Sequence, residues 1–131
     1  MTQFLSQAWL DAWRILMADV DDDVSGPRPS ARIAVTVPGA PGGEVSLGVV
    51  LLDGGVVEAG LGPGVEPEVT FIAPHSLAVE LARGHVSPSA AFMQGRLKTS
   101  GDPGKVLELL AWSHRPSRVT ALAKLAGDTE F

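Results

Sequence analysis

The chain has no cysteine and no tyrosine among its 131 residues. Without thiols there is no disulfide, no thiolate nucleophile and no cysteine-based structural zinc site, which suits a reducing compartment. Positive charge is thin as well: 10 Lys and Arg stand against 15 Asp and Glu, for a net charge of −5, and the cations are scattered. With aromatics at only 5%, the basic, aromatic-studded surface that a nucleic acid requires is absent. The mild acidity serves solubility and does not encode a partner. The longest apolar run, residues 45–52, is interrupted by Ser46 and Gly48 and is too short to span a bilayer. The first residues, MTQFLSQAW, lack the cationic segment of a secretory signal, and the last, DTEF, are no peroxisomal address. A cytoplasmic protein with at most transient membrane contact is expected.

Catalytic groupings are missing too. His75, His85 and His114 show neither HxH nor HExxH spacing, so no metal site is expected. The run Asp21-Asp22-Asp23 lacks the ligand spacing and closing glutamate of an EF-hand and reads as a solvated acidic loop. No serine sits in a GxSxG elbow. Gly60-Leu61-Gly62-Pro63-Gly64 resembles a phosphate loop only superficially, because Pro63 removes an amide donor and no helix follows at the right distance. No catalytic residue and no cofactor is therefore nominated. His114, near the end of its helix, favours the negative end of the dipole, whereas His75 has no equally simple role.

What the chain does have is apolar residues, 45% of the total, in clear periods. A single domain spanning residues 1–131 would bury about two-thirds of its unfolded surface. Residues 4–18 predict an amphipathic helix with Leu5, Trp9, Ala12 and Leu16 on one stripe and Thr2 as cap. Gly26-Pro27 ends any helix. Alternation predicts strands over 32–37, 44–52, 56–61 and 68–73, with Asp53-Gly54-Gly55 as a tight hairpin. Leu77 and Leu81 share a face of a short helix closed by Gly84. Ser87-Pro88 and Asp102-Pro103 are cap-plus-proline helix starts, and Pro116 separates two helices at the end. Strands early and helices late indicate an α+β sheet covered on one face.

The most distinctive stretch is Ala90-Ala91-Phe92-Met93-Gln94-Gly95-Arg96-Leu97-Lys98-Thr99-Ser100-Gly101-Asp102. A short apolar helix ends there in Gln94-Gly95 and runs into a strand, 96–100, that alternates cations with apolar or small residues. With Ser87-Pro88-Ser89 before it, this segment resembles the signature of the sterol carrier protein, or sterol-binding, domain family. Ile33-Ala34-Val35-Thr36-Val37, the Pro41–Gly43 piece, the hairpin, Glu68-Val69-Thr70-Phe71-Ile72 and the helix of 77–84 follow in the family's order. The resemblance covers residues 30–114. Arg96 stands where lysine is commoner, and Thr99 replaces a β-branched aliphatic, which makes the inner wall slightly more polar.

That resemblance implies a five-stranded, mostly antiparallel sheet covered on one side by helices, with an apolar tunnel between the layers. It implies a non-catalytic protein that holds a sterol, fatty acid, acyl-CoA or similar apolar or amphipathic lipid. Phe71, Leu77, Leu81, Phe92, Met93, Leu97, Leu107 and Leu110 are the expected ligand-binding wall, their alternative role being to fill a solid core. Gln94 would orient a ligand's hydroxyl or carboxylate, or else bond to nearby backbone. Arg96 and Lys98 share a side of their strand and face solvent, with an anionic headgroup at the tunnel mouth as the sharper alternative. The final helix, 117–126, would act as a lid. The competing reading keeps the fold but fills the tunnel, making an accessory or interaction module. Trp9 and Trp13 then form a partner or homodimer surface.

Overall fold

The computed structural model describes residues 2–18, 28–62 and 66–131. The expectations placed on the acidic run Asp21-Asp22-Asp23, on Gly26-Pro27 and on Pro63-Gly64 lie outside the described residues. In chain order the elements are Thr2–Gln3 (β1), Gln7–Met17 (α1), Ala31–Val37 (β2), Val45–Leu52 (β3), Gly55–Leu61 (β4), Val69–Ile72 (β5) and His75–Ala82 (α2). Pro88–Met93 (α3), Lys98–Gly101 (β6), Pro103–Ser113 (α4), Pro116–Ala126 (α5) and Thr129–Glu130 (β7) complete it.

Helix α1 begins later than its apolar stripe suggests, and Thr2 does not cap it. Residues 2 and 3 are drawn into a parallel pairing with the other end of the chain, Thr2 beside Thr129 and Gln3 beside Glu130. Ser6 takes over as cap, its Oγ accepting from the Trp9 amide at 3.2 Å. Leu5 lies outside the helix at φ 62°, a left-handed conformation that costs a leucine about 1 kcal/mol. Trp9 fastens the two chain ends together: its Nε1 donates to Thr129 Oγ1 at 3.1 Å, and that hydroxyl donates to the Leu125 carbonyl at 2.6 Å.

The main sheet has the order β4-β3-β2-β5-β6. Three pairings are antiparallel and one, β2 with β5, is parallel, so the sheet is mixed. The β3–β4 turn places Asp53 at φ 50° and Gly54 at φ 83°, the two positive values that a tight hairpin of this twist requires. Its tip is anchored to the helices, since the Gly54 carbonyl accepts both Trp112 Nε1 at 2.7 Å and Arg118 Nη2 at 2.9 Å. At the outer edge of β4, the Gln7 amide imitates a strand: its Nε2 donates to the Ala59 carbonyl at 3.4 Å and its Oε1 accepts from the Leu61 amide at 3.1 Å.

The opposite edge departs from the sequence reading. Strand β6 starts at Lys98, two residues late, because the amides of Arg96 and Leu97 both donate to the Ala91 carbonyl and so belong to the exit of α3. Gly95, at φ +73°, makes that exit possible. Ser87 and Asp102 cap α3 and α4 as their sequence pattern predicts, accepting from the Ala90 amide at 3.1 Å and the Gly104 amide at 2.9 Å. One face of the sheet carries Ile33, Val35, Val37, Leu47, Val49, Leu51 and Phe71 toward the helices.

Candidate functional site: an apolar cavity between sheet and helices

The sheet face and the helices do not close fully on each other. A cavity of about 280 Å³ remains between them, floored by the seven sheet residues just named. Helix α1 contributes Trp9, Leu10 and Trp13, α2 contributes Ala78, Leu81 and Ala82, α4 contributes Leu109, Leu110 and Trp112, and α5 contributes Leu122. Three of its wall positions, Ala73, Ala78 and Ala82, carry side chains that stop at Cβ. An apolar cavity of roughly 150 Å³ is known to take up benzene, and drug-sized pockets start near 300 Å³. The room here suits a hydrocarbon larger than a single ring.

Most polar hydrogens around the cavity are already engaged by protein, the indole N–H of the half-buried Trp13 being the exception. Trp9 Nε1 is bonded to Thr129, Trp112 Nε1 to the Gly54 carbonyl, and Ser113 Oγ to the Leu110 carbonyl at 2.7 Å. A polar group placed deep inside would lose its water with few partners to gain, and an unpaired buried polar group costs about 1–3 kcal/mol. Such a wall favours hydrocarbon through non-directional burial. All 3 tryptophans of the chain border this space, which makes their emission a direct reporter of its contents.

Of the nine residues nominated from sequence, Phe71, Leu81, Leu97 and Leu110 stand together on the cavity wall. Leu77 is buried at 2% exposure but turned into solid core, and Phe92 packs half-buried against that core. Met93, Gln94 and Leu107 are not brought to the cavity: Met93 is 82% exposed, Leu107 is 62% exposed, and Gln94 is the exposed C-cap of α3. The apolar stripe of a short helix cannot by itself show which flank meets the sheet. In α4 the inward flank proves to be that of Val106, Leu109 and Leu110, leaving Leu107 outward.

Arg96 forms an exposed ion pair with Glu80 and Lys98 is exposed, so neither borders the cavity. Trp9 and Trp13, the partner surface of the competing reading, both border the cavity, Trp9 with 7% exposure and Trp13 half-buried. Sequence reasoning missed Phe4, Leu5, the sheet floor apart from Phe71, and the wall alanines. Alternation in the strands was the available signal for the floor; nothing local marks an alanine as a wall that stops short. Among the described residues, no three His, Asp or Glu side chains converge as a metal site would need.

These features define an α+β domain whose sheet and helices enclose an apolar cavity. The model of the SCP-2 sterol transfer family matches residues 28–111, well over half of the chain, and the protein belongs to that family. Solved structures agree on the fold. The crystal structure of sterol carrier protein 2 superposes with a TM-score of 0.73 at 18% identity, covering 93% of this chain and 98% of that one. A conserved hypothetical protein from Thermus thermophilus gives 0.72 at 17% identity, covering 96% and 92%. The palmitated sterol carrier protein 2 like 2 of Aedes aegypti gives 0.65 at 16% identity, covering 83% and 94%. No match is found among curated proteins.

Proposed function

We propose that the chain is a non-catalytic lipid carrier that takes one sterol, fatty acid, acyl-CoA or similar chain into the cavity between sheet and helices. The observation that carries this reading is the space of about 280 Å³ walled almost wholly by apolar side chains, with the polar groups of Trp9, Trp112 and Ser113 bonded within the protein. Membership of a sterol transfer family supports it, and so does the likeness in fold to a structure determined in its palmitated form. Burying 300–400 Å² of lipid at about 25 cal/mol per Å² supplies roughly 8–10 kcal/mol gross. Association and ordering take back several of these, which leaves micromolar affinity. Helix α5 serves as the lid, reaching the cavity through Leu122. No helix among the described residues is long and apolar enough to cross a membrane, and we place the carrier in the cytoplasm.

Titration with cis-parinaric acid tests this reading, because energy transfer from Trp9, Trp13 and Trp112 occurs only when the polyene sits near them. A saturable signal with one ligand per chain is expected. A linear, non-saturating response with the protein folded would refute the carrier function.

A further inference from the structure

A second cavity, about 320 Å³, lies against the first, and Phe4 and Leu5 line both. Its character differs. Gln3, Ser6, His75 and Glu130 border it together with Phe131 and the segment around Ala40-Pro41. The side chains of Gln3, His75 and Glu130 make no hydrogen bond among the described residues, although each carries groups able to do so. Phe4 stands between the two spaces: its ring meets Trp9 of the first cavity edge-on at 5.0 Å, and on the other side it lies 5.0 Å from Phe131 and 6.2 Å from His75. Leu5 beside it is held at φ 62°, a conformation from which relaxation to an ordinary backbone is downhill locally. The partition between an oily space and a polar one is thus two side chains on a short segment joining β1 to α1.

Resting on the carrier reading, we infer that Phe4 and Leu5 form a door, and that the second cavity receives the polar head of an amphipathic cargo whose tail fills the first. The first cavity is walled almost wholly by apolar side chains, whereas the second offers the half-buried His75 and the exposed Gln3 as groups able to donate and accept within reach of the same opening. The head it fits is neutral and both donates and accepts hydrogen bonds, a hydroxyl above all. Glu130 borders the space and no lysine or arginine does, Arg83 being stacked at 4.5 Å over the Phe131 ring instead. A carboxylate head meets like charge there, softened by solvent because Glu130 is exposed.

The test displaces a neutral apolar fluorophore, N-phenyl-1-naphthylamine, with 1-decanol and with decanoate. The full chain is compared with its His75→Ala, His75→Gln and Glu130→Gln variants. Loss of one hydrogen bond predicts that His75→Ala weakens 1-decanol about 5- to 10-fold, leaves the fluorophore's own affinity unchanged, and is rescued by His75→Gln. Decanoate binds more weakly than 1-decanol, and Glu130→Gln narrows that gap. If the fluorophore binds but 1-decanol is indifferent to His75→Ala, the head-group site is overturned while the apolar cavity stands. If the fluorophore does not bind at all, the carrier reading falls and this inference falls with it.

Discussion

Replacing Ala78 by leucine separates an open cavity from a solid core by the sign of two effects. Ala78 is 8% exposed, sits in α2 and faces the space of about 280 Å³. Leucine and alanine differ little in helix propensity, so the backbone is nearly indifferent to the change. Three added carbons buried at about 0.8 kcal/mol each contribute roughly 2.4 kcal/mol, from which side-chain ordering removes about 0.5–1. The empty protein should gain about 1.5–2 kcal/mol, and a domain of this size should melt roughly 5–8 °C higher. The same carbons occupy room that a lipid tail would use, so the affinity for cis-parinaric acid should drop about 30-fold, equivalent to some 2 kcal/mol. Thermal unfolding followed by circular dichroism and tryptophan energy transfer measure the two quantities independently. A solid core would respond oppositely, losing about 1–3 kcal/mol to overpacking. A lower melting temperature with unchanged lipid affinity would refute the reasoning.

Other substitutions probe the frame. Gly101→Ala should cost at least about 3 kcal/mol in urea unfolding, because an added Cβ would lie 2.2 Å from the Glu68 carbonyl oxygen and the backbone there is at φ +108°. Gln7→Ala should expose the edge of β4, raising hydrogen exchange at the Leu61 amide at least about tenfold while global stability falls by about 1 kcal/mol or less. Leu81→Glu should abolish cis-parinaric acid binding, whereas Met93→Glu should leave affinity within about twofold, since Leu81 walls the cavity and Met93 is 82% exposed. Equal losses in both variants would place the ligand elsewhere.

The elements that were legible in the sequence are those decided by neighbours along the chain. The caps Ser87 and Asp102, the Asp53-Gly54 hairpin and the alternating strands β2 and β3 all follow from residues a few positions apart, because capping, turn geometry and pleat act at that range. The signature around Gln94-Gly95 carried the family and with it the sheet and its helical cover. The misplacements have a common cause. Helix α1 lost its first turn because Thr2 and Gln3 pair with Thr129 and Glu130, over a hundred positions away. Strand β6 lost its first residues to a carbonyl of the preceding helix.

What the sequence by itself determined is an apolar α+β domain without thiols, without a recognisable catalytic grouping, and with the order of strands and helices of its family. Tertiary structure alone decided which side chains surround the cavity. Phe71 and Leu81 face it while Met93 and Leu107 turn outward, although all four look equally apolar in sequence. The physical reason is that a void is a property of facing surfaces. Ala78 and Ala82 of α2 stop at Cβ across from a sheet face that continues through Ala73, and no single segment encodes the distance between those surfaces.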